Sequence, residues 1–466
     1  VYNTKTGEYV NLTAWDVSAQ QDKSIIAWYE TSNSNGALKV HIGSNDEIFA
    51  NQDSTYLFAS IGYSDKCTAT EVVTNLDLLN VKNVIEMGNM FYEFGYKAMT
   101  SLKLPSTFDT SNVTNMTRMF MRCGWNAMTT LEFGTSFNTS NVTTMNAMFS
   151  NCGRNKLTKL DLSSGTTEQN TTQFNTSNVN NMDIMFASLG RATMTQLNLG
   201  NNFDTSNATT MKYMFANTGR TKMTNLDLGD KFDTSNVTNM YRMFRSCGKN
   251  KMTSLNLGNK FNTSKVTDMN EMFANCGQAM TSLDLGDLFY TTNVTDMYRM
   301  FYNCGESKMT SLNLGDKFNT AKVTNMQKMF ENMGYTAMTS LDLGDLFYTT
   351  NVTDMYKMFY GCGNTAMTSL DLGAVFTKIP NEKITKQSSD YEDWEDDKAT
   401  NYNAYDDMFT NTGKSGAIIY VAESVYKNRT SFKASSTDTT TLAGAIAVSE
   451  GRTINPIYRP EWTKVS

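Results

Sequence analysis

The sequence is poor in several features that particular functions require. It has one histidine, His41, and four prolines among its 466 residues. A lone histidine leaves no Ser-His-Asp or Cys-His arrangement, and neither an HExxH motif nor a glycine-rich phosphate loop occurs. No apolar run reaches the length of about 18 residues that a membrane helix needs. We therefore predict a non-enzymatic protein with no cofactor and no direct membrane insertion of this segment.

An excess of positive charge is also missing. The chain has 40 lysines and arginines against 46 aspartates and glutamates, and its pI is about 5.1. Nucleic-acid-binding domains typically have a basic excess on one face. The sequence therefore predicts no nucleic-acid partner.

The seven cysteines do not form the pattern of a disulfide framework. Six of them occupy one position, three residues after the Phe of a Met-Phe pair, where other repeats have Phe94, Leu189, Thr218 or Met333. Such interchange is typical of a small buried apolar site. Because no CxxC pair or histidine companion accompanies them, we predict free, buried thiols and no metal site. The six are Cys123, Cys152, Cys247, Cys276, Cys304 and Cys362.

What the sequence has in abundance is an internal repeat. Residues 280–305, MTSLDLGDLFYTTNVTDMYRMFYNCG, recur almost unchanged at 338–363 and in looser form elsewhere. The repeats follow a period of 29 residues with one deletion and two insertions, and such a period indicates stacked units that share one core. The Phe of the Met-Phe pair marks eleven copies: Phe91, Phe120, Phe149, Phe186, Phe215, Phe244, Phe273, Phe301, Phe330, Phe359 and Phe409.

Each repeat begins with a pattern of period two. In residues 223–228, Met223, Leu226 and Leu228 belong to an apolar set that alternates with polar residues, which predicts a short strand. Gly229 then permits a turn, and Phe232 returns to the core. A polar arc, DTSNV, follows, and its hydroxyl and amide groups are suited to satisfying turning backbone.

The second half of the repeat has the spacing of a helix. Met240, Met243, Phe244 and Cys247 fall at i, i+3, i+4 and i+7, so the pattern predicts a helix of about two turns with Thr238 as its N-cap. A glycine follows in all eleven copies, from Gly95 to Gly413. We interpret it as the left-handed residue that ends each helix.

The motif of Leu-x-Leu followed by DTSNVTNMxxMFxxCG resembles the BspA-like leucine-rich-repeat surface proteins of bacteria and some protists. The resemblance covers residues 67–413, and the segments AWDVSAQQDKSIIAWYE and IFANQDSTYLFASIG are similar to the N-terminal cap of that family. It implies an α/β repeat solenoid, a right-handed leucine-rich-repeat coil with short parallel strands on one face and short helices on the other. It also implies an extracellular adhesin or interaction protein.

Three regions interrupt or flank the array. Residues 1–66 lack the period and predict a β-rich N-terminal cap, and residues 414–466 predict a C-terminal cap. Insertions occur near 163–170 and 377–398. The second is rich in acidic residues around Tyr391 and Trp394, and it could be a solvated loop, a cation site or a docking loop. Since the chain starts at Val1 without a signal sequence, we expect an excised ectodomain whose export signal and anchor lie outside this segment.

Two repeated surfaces are candidates for ligand binding. The first is the row between the two leucines, which we expect on the concave strand face, where alternating Asn and Asp would relieve charge repulsion: Asp227, Asn256, Asp284, Asn313, Asp342 and Asp371. The second is a set of tyrosines confined to alternate copies, which we expect to be outward-facing: Tyr290, Tyr298, Tyr348 and Tyr356. These tyrosines could anchor a protein or glycan, or only cover neighbouring coils.

A column of asparagines is a further repeated feature. It comprises Asn112, Asn141, Asn178, Asn207, Asn236, Asn293 and Asn351, and Lys265 and Lys322 replace asparagine in two copies. Most of these asparagines open N-x-T sequons. In a bacterial protein we predict instead a hydrogen-bonded ladder that closes each turn.

These observations together predict a bacterial cell-surface adhesion protein. The expected partner is an extracellular protein, a host matrix protein or receptor, bound through the solenoid surface. The alternatives are a glycan-binding module that uses the exposed tyrosines and a structural spacer for another domain.

Overall fold

The computed structural model of the chain describes residues 2–3, 8–9, 14–18, 22–31, 38–163, 174–380, 383–385, 401–404, 407–414, 417–421 and 455–458. The described repeats form a β-solenoid of about eleven turns. Strand and turn segments alternate, and almost no helix is present. One 3-10 helix, Leu76–Leu78, is found among the described residues.

The strands are short. The first six are β1 (Tyr2–Asn3), β2 (Glu8–Tyr9), β3 (Ala14–Asp16), β4 (Ile25–Thr31), β5 (Leu38–Ser44) and β6 (Ile48–Phe49). The solenoid strands are β7 (Leu79–Asn80), β8 (Ser101–Lys103), β9 (Thr130–Glu132), β10 (Lys159–Asp161), β11 (Gln196–Asn198), β12 (Asn225–Asp227), β13 (Ser254–Asn256), β14 (Ser282–Asp284), β15 (Ser311–Asn313), β16 (Ser340–Asp342) and β17 (Ser369–Asp371). The last four are β18 (Lys383–Thr385), β19 (Asn401–Asn403), β20 (Ile418–Val421) and β21 (Asn455–Tyr458).

The predicted strands of the repeats are confirmed, and they pair in parallel. Leu226 of β12 is in register with Leu255 of β13, and both side chains are buried while the residues on either side are exposed. Along the described array these strands hydrogen-bond mainly two by two, as β8–β9, β10–β11, β12–β13 and β14–β15, and then as the longer order β16-β17-β20-β21. The strand side of the solenoid is therefore divided into two-coil units.

The predicted helices are wrong. Residues 241 to 251, which include the segment with helical spacing, form consecutive turns. The amide of Met243 donates to the carbonyl of Met240 and that of Cys247 donates to Phe244, which are bonds to the third residue back rather than the fourth. The intervening amide of Phe244 donates to Met272 on the next coil. We call this side of the solenoid the turn face.

The spacing of apolar residues misled the helix prediction because a run of turns has nearly the same period. Met240, Met243, Phe244 and Cys247 all point inward with no exposed surface, as the helix pattern required. The backbone differs, since it takes a left-handed conformation twice in each segment, at Arg242 with φ 55° and at Ser246 with φ 56°. An α-helix does not contain such residues.

The glycines of the repeat have the predicted left-handed conformation, but they do not end helices as predicted. All eleven repeat glycines have positive φ, between 46° at Gly190 and 64° at Gly413. Each ends a run of turns rather than a helix. At Gly248, an added Cβ would lie 2.5 Å from the Cβ of Met252, so the position excludes larger residues sterically as well as conformationally.

The core is built from two ladders of phenylalanine. Rings of the Met-Phe series stack on those of the next coil, as between Phe244 and Phe273, whose centroids are 5.5 Å apart with planes 3° from parallel. A second ladder runs beside it, with Phe232 and Phe261 6.3 Å apart. Buried methionines fill the space between coils. Dispersion between flat rings and flexible thioethers therefore adds to the packing of the buried leucines and valines of the same core.

The cysteines lie in this core as predicted. All seven are free, and the six that follow Met-Phe pairs are buried. Burial raises the pKa of the Cys304 thiol and of the Cys362 thiol to about 12. These thiols are therefore neutral at physiological pH and serve as small apolar groups.

The solenoid geometry extends toward both ends of the chain. On the N-terminal side β6 pairs in parallel with β7, and Phe58 stacks on Phe91, so residues 48–62 already form a coil. Before it, β3, β4 and β5 form an antiparallel sheet within the predicted cap. On the C-terminal side β17 pairs in parallel with β20, and β20 with β21.

Candidate binding surfaces

The strand face presents a regular polar strip. Its residues lie between the two buried leucines of each strand, and five predicted positions are exposed: Asp227, Asn256, Asp284, Asn313 and Asp342. We call these five residues the strand-face strip. Asp371, predicted to belong to it, is 7% exposed. It is buried because β17 lies between β16 and β20, where Asp371 is in register with Tyr420.

The alternation of Asp and Asn follows the pairing of the strands. Within a pair, the amide Nδ2 of Asn256 donates to the carboxylate of Asp227 at 3.0 Å, and Asn313 donates to Asp284 at 3.1 Å. Two carboxylates about 5 Å apart would repel by nearly 1 kcal/mol even in water. The amide replaces that repulsion with a hydrogen bond, so the predicted electrostatic reason for the alternation has a direct structural basis.

A second hydrogen bond fixes each carboxylate of the strip. Oδ1 of Asp227 accepts from the amide of Gly229 at 3.1 Å, and Oδ1 of Asp284 accepts from Gly286 at 3.0 Å. Asp227 and Asp284 are thus held by their own turns and by their neighbours, whereas Asp342 accepts from the amide of Gly344 at 2.9 Å and is in register with Asp371. The strip therefore presents negative charges two coils apart. Because these side chains are already ordered, no loop has to lose conformational entropy when a partner binds.

The tyrosines are more buried than the sequence analysis predicted. Tyr290, Tyr298 and Tyr348 are half-buried, and Tyr356 is only 7% exposed. Cationic side chains cover two of them: the Arg299 guanidinium lies 5.1 Å from the Tyr298 ring centroid, and the Lys357 ammonium lies 5.1 Å from that of Tyr356. The expectation of outward-facing anchors is therefore wrong for Tyr356, because cation–π contacts between side chains hold it against the coil.

An ion-pair cluster lies on the same turn face. Glu271, 2% exposed, accepts a hydrogen bond from Arg242 at 2.7 Å and forms an ion pair with Arg245, whose Nε lies 2.7 Å from Oε2. Burial lowers the pKa of Arg242, but the Glu271 carboxylate outweighs burial, and the pKa is raised overall. At this cluster one buried carboxylate thus partly neutralises two cations of the turn face.

The asparagine ladder is confirmed. Asn236 Nδ2 donates to the carbonyl of Ser206 on the preceding coil at 2.7 Å, and other asparagines of the column repeat this bond. Where lysine replaces asparagine, its ammonium reaches the asparagine one coil back, as Lys265 does to Asn236 at 2.7 Å. These amides therefore have a structural role in joining the coils.

Other predicted positions fall elsewhere. Tyr391 and Trp394, with the acidic residues around them, lie outside the described residues, as does residue range 164–170. Among the residues that the structure describes, no group of three or more His, Cys, Asp or Glu side chains is placed to hold a metal ion.

One surface was missed by the sequence analysis. The residues that directly follow the repeat glycines form a column along the solenoid, which we call the post-glycine column. In five successive coils this column consists of Tyr96, Trp125, Arg154, Arg191 and Arg220. The three arginines line an open cleft of about 370 Å³. The signal was present, since aligning the repeats on their glycines places three arginines in succession.

Comparison with known families identifies the repeats. The family described as "Mycoplasma protein of unknown function, DUF285" matches residues 63–163, 96–225, 155–284, 220–336 and 279–383. These overlapping matches span well over half of the chain. The chain belongs to the DUF285 family. The match begins and ends within the solenoid, so the DUF285 repeat is the coil described above.

No curated protein and no solved structure matches this DUF285 chain. Within the part of the chain that the structure describes, no helix has the length and apolar character needed to cross a membrane.

Proposed function

We propose that this DUF285 protein is a non-enzymatic cell-surface adhesion protein. It binds an extracellular protein, a host matrix protein or receptor, through the strand-face strip. The observation that supports this proposal most directly is the preorganised row of exposed carboxylates, which accept hydrogen bonds such as that from Asn256 to Asp227 and that from the Gly344 amide to Asp342. The repeats resemble BspA-like leucine-rich repeats, and that resemblance implies export and adhesion.

The strip favours a protein partner with basic side chains. Its charged positions, Asp227, Asp284 and Asp342, recur every second coil, and Ser282, Ser311 and Ser340 flank the row on the same strands. Rigid charge of one sign steers a complementary partner and limits the entropy lost on binding. The tyrosines support the glycan alternative less strongly, since cations of the same chain already cover the rings of Tyr298 and Tyr356.

The test is binding of the purified chain to a panel of extracellular matrix proteins at physiological salt. The variant D227N/D284N/D342N removes three charges and keeps an oxygen acceptor for the glycine amides. We expect a loss of affinity of about tenfold or more, since charged hydrogen bonds across an interface contribute most when both partners are ordered.

A matched control removes the same charge from the same coils. The variant D230N/D287N/D345N changes exposed aspartates in the turn that follows each strand. It should bind within about twofold of the parent, because exposed charges outside the contact contribute little. Equal losses in both variants, or no binding to any matrix protein, would contradict the proposal.

A further inference from the structure

The post-glycine column is held rigidly by the backbone. The amide of Ala192 donates to the carbonyl of Arg154 at 3.0 Å, that of Thr221 donates to Arg191 at 3.1 Å, and that of Asn250 donates to Arg220 at 2.9 Å. These bonds join each coil to the next at the residue beside the arginine. The three guanidiniums therefore project from one ordered edge, with coils about 4.8 Å apart.

The charge of this edge is not neutralised. Among the described residues, no carboxylate pairs with Arg154, Arg191 or Arg220, in contrast to the buried pair of Arg242 and Glu271. Burial and the neighbouring guanidiniums lower the pKa of Arg191, and burial is also the main cause of the lowered pKa of Arg154. The buried Nε of Arg220 has no hydrogen-bond partner. Three cations thus share a cleft in a chain whose net charge is −6.

The surroundings of the cleft supply further groups for a ligand. Asn155 and Asn250 contribute amide side chains to its lining. At one end, the Arg154 guanidinium lies 4.5 Å from the ring centroid of Trp125, and Tyr96 stacks on Trp125 with centroids 5.4 Å apart, so neighbouring coils already cover this ring. Arginine forks suit tetrahedral oxyanions, and amide side chains beside them suit the hydroxyl groups of a sugar.

We propose that the cleft formed by Arg154, Arg191 and Arg220 binds a sulfate or phosphate ester carried on a saccharide. The oxyanion lies among the three guanidiniums, where it relieves their mutual repulsion. The sugar extends toward the amides of Asn155 and Asn250 in the lining of the same cleft. This site goes beyond the protein partner proposed for the strand-face strip, and because it uses different residues its test is separate.

A nucleic acid is the less suited ligand. Its regular phosphates require a basic surface several contacts long for useful affinity. Here the basic run of the column ends at Lys249, one coil after Arg220. The next two residues of the column are Gln278 and Glu306, and Gln278 donates to Glu306 at 2.6 Å. The row of arginines therefore fits one or two anionic groups rather than a polymer backbone.

The experiment measures binding of four probes to the full chain by calorimetry at low ionic strength. The probes are lactose 3′-sulfate, glucose 6-phosphate, unmodified lactose and a short single-stranded oligonucleotide. We expect at least one ester to bind more than tenfold tighter than lactose. Whichever ester binds tighter identifies the source of the oxyanion, sulfated or phosphorylated sugar.

Two variants and one control assign the binding to the cleft. R154Q/R191Q/R220Q removes the cations and should lose ester binding by tenfold or more. R154K/R191K/R220K keeps the charge but lacks the planar fork, and it should lose affinity to a smaller extent. The control K156Q/K222Q/K251Q removes the same charge from exposed lysines two residues beyond the column, and it should keep the parent affinity.

Three results would overturn the proposal. The first is ester affinity unchanged in the folded glutamine variant, with folding checked by circular dichroism. The second is an equal loss of ester affinity in the control K156Q/K222Q/K251Q, which would indicate general electrostatic attraction rather than a site. The third is arginine-dependent binding of the oligonucleotide that exceeds binding of either ester. If the glutamine variant does not fold, ester binding unchanged in the Arg→Lys variant also counts against the site.

Discussion

The turn face and the strand face of the solenoid join coils in different ways. On the turn side, parallel bridges continue without interruption from Asp53 to Asp354, and every coil between them takes part. On the strand side, hydrogen bonding is concentrated in pairs such as β12–β13 and β14–β15. The turns, rather than the strands, therefore provide the continuous scaffold along the axis.

The two faces also treat charge differently. The Arg242–Glu271 pair of the turn face is almost completely buried, with side chains 7% and 3% exposed. The Lys103–Glu132 pair of the strand face, at 3.0 Å, has side chains 63% and 56% exposed. This difference indicates that the buried ion pair of the turn face stabilises the coils, whereas charge on the strand face remains available to a partner.

The largest expected effect comes from breaking the buried pair. Glu271→Gln leaves the Arg242 and Arg245 cations without their carboxylate, and we expect a loss of about 3–5 kcal/mol in the free energy of unfolding. Urea denaturation followed by circular dichroism measures it. Glu132→Gln, the matched change on the strand face, should cost less than about 1 kcal/mol. Similar costs at both sites would remove the proposed contrast between the faces.

Glycine substitutions test whether the backbone of the turn face tolerates change less well than the backbone beside the strands. Gly248→Ala on the turn face combines a φ of 50° with a Cβ contact of 2.5 Å to Met252. Gly229→Ala, after the strand, has a φ of 77° but no atom within 4 Å of an added Cβ. We expect losses of about 2–3 kcal/mol for Gly248→Ala and about 1 kcal/mol for Gly229→Ala in the free energy of unfolding. A larger loss at Gly229 would contradict this ranking.

Sequence pattern predicted the strands, the core and the left-handed glycines, because each depends on which side chains face inward. Met240, Met243, Phe244 and Cys247 are buried in the turns as they would be in a helix. The backbone between them could not be inferred from that spacing alone. A weaker signal was present at the second left-handed position of the segment, which is asparagine at Asn151, Asn217, Asn275, Asn303, Asn332 and Asn411. Asparagine tolerates this conformation better than most residues.

The candidate surfaces could be predicted only in part, because the sequence pattern shows which side chains face outward but not which of them meet between coils. The strand-face strip follows from alternation, which places one residue of each strand outward. The environment of Tyr356 and the cleft at Arg154 depend on which side chains meet between coils. Those contacts join residues about 29 positions apart, as in the bond from Arg242 to Tyr213. They become visible in sequence only when the repeats are aligned and compared column by column.

The smallest expected effect concerns the alternation within the strand-face strip. Asn256→Asp replaces the hydrogen bond to Asp227 with two carboxylates in register, and we expect a loss of about 1 kcal/mol in the free energy of unfolding at low salt. Since both groups are exposed, the loss should largely disappear at 1 M salt, where the screening length is about 3 Å. Asp227→Asn is the matched control, because it removes a charge without creating repulsion, and it should change stability by less than about 0.5 kcal/mol. An Asn256→Asp cost that persists at high salt would mean that the amide is required for strand pairing itself, and that the alternation is not an electrostatic device.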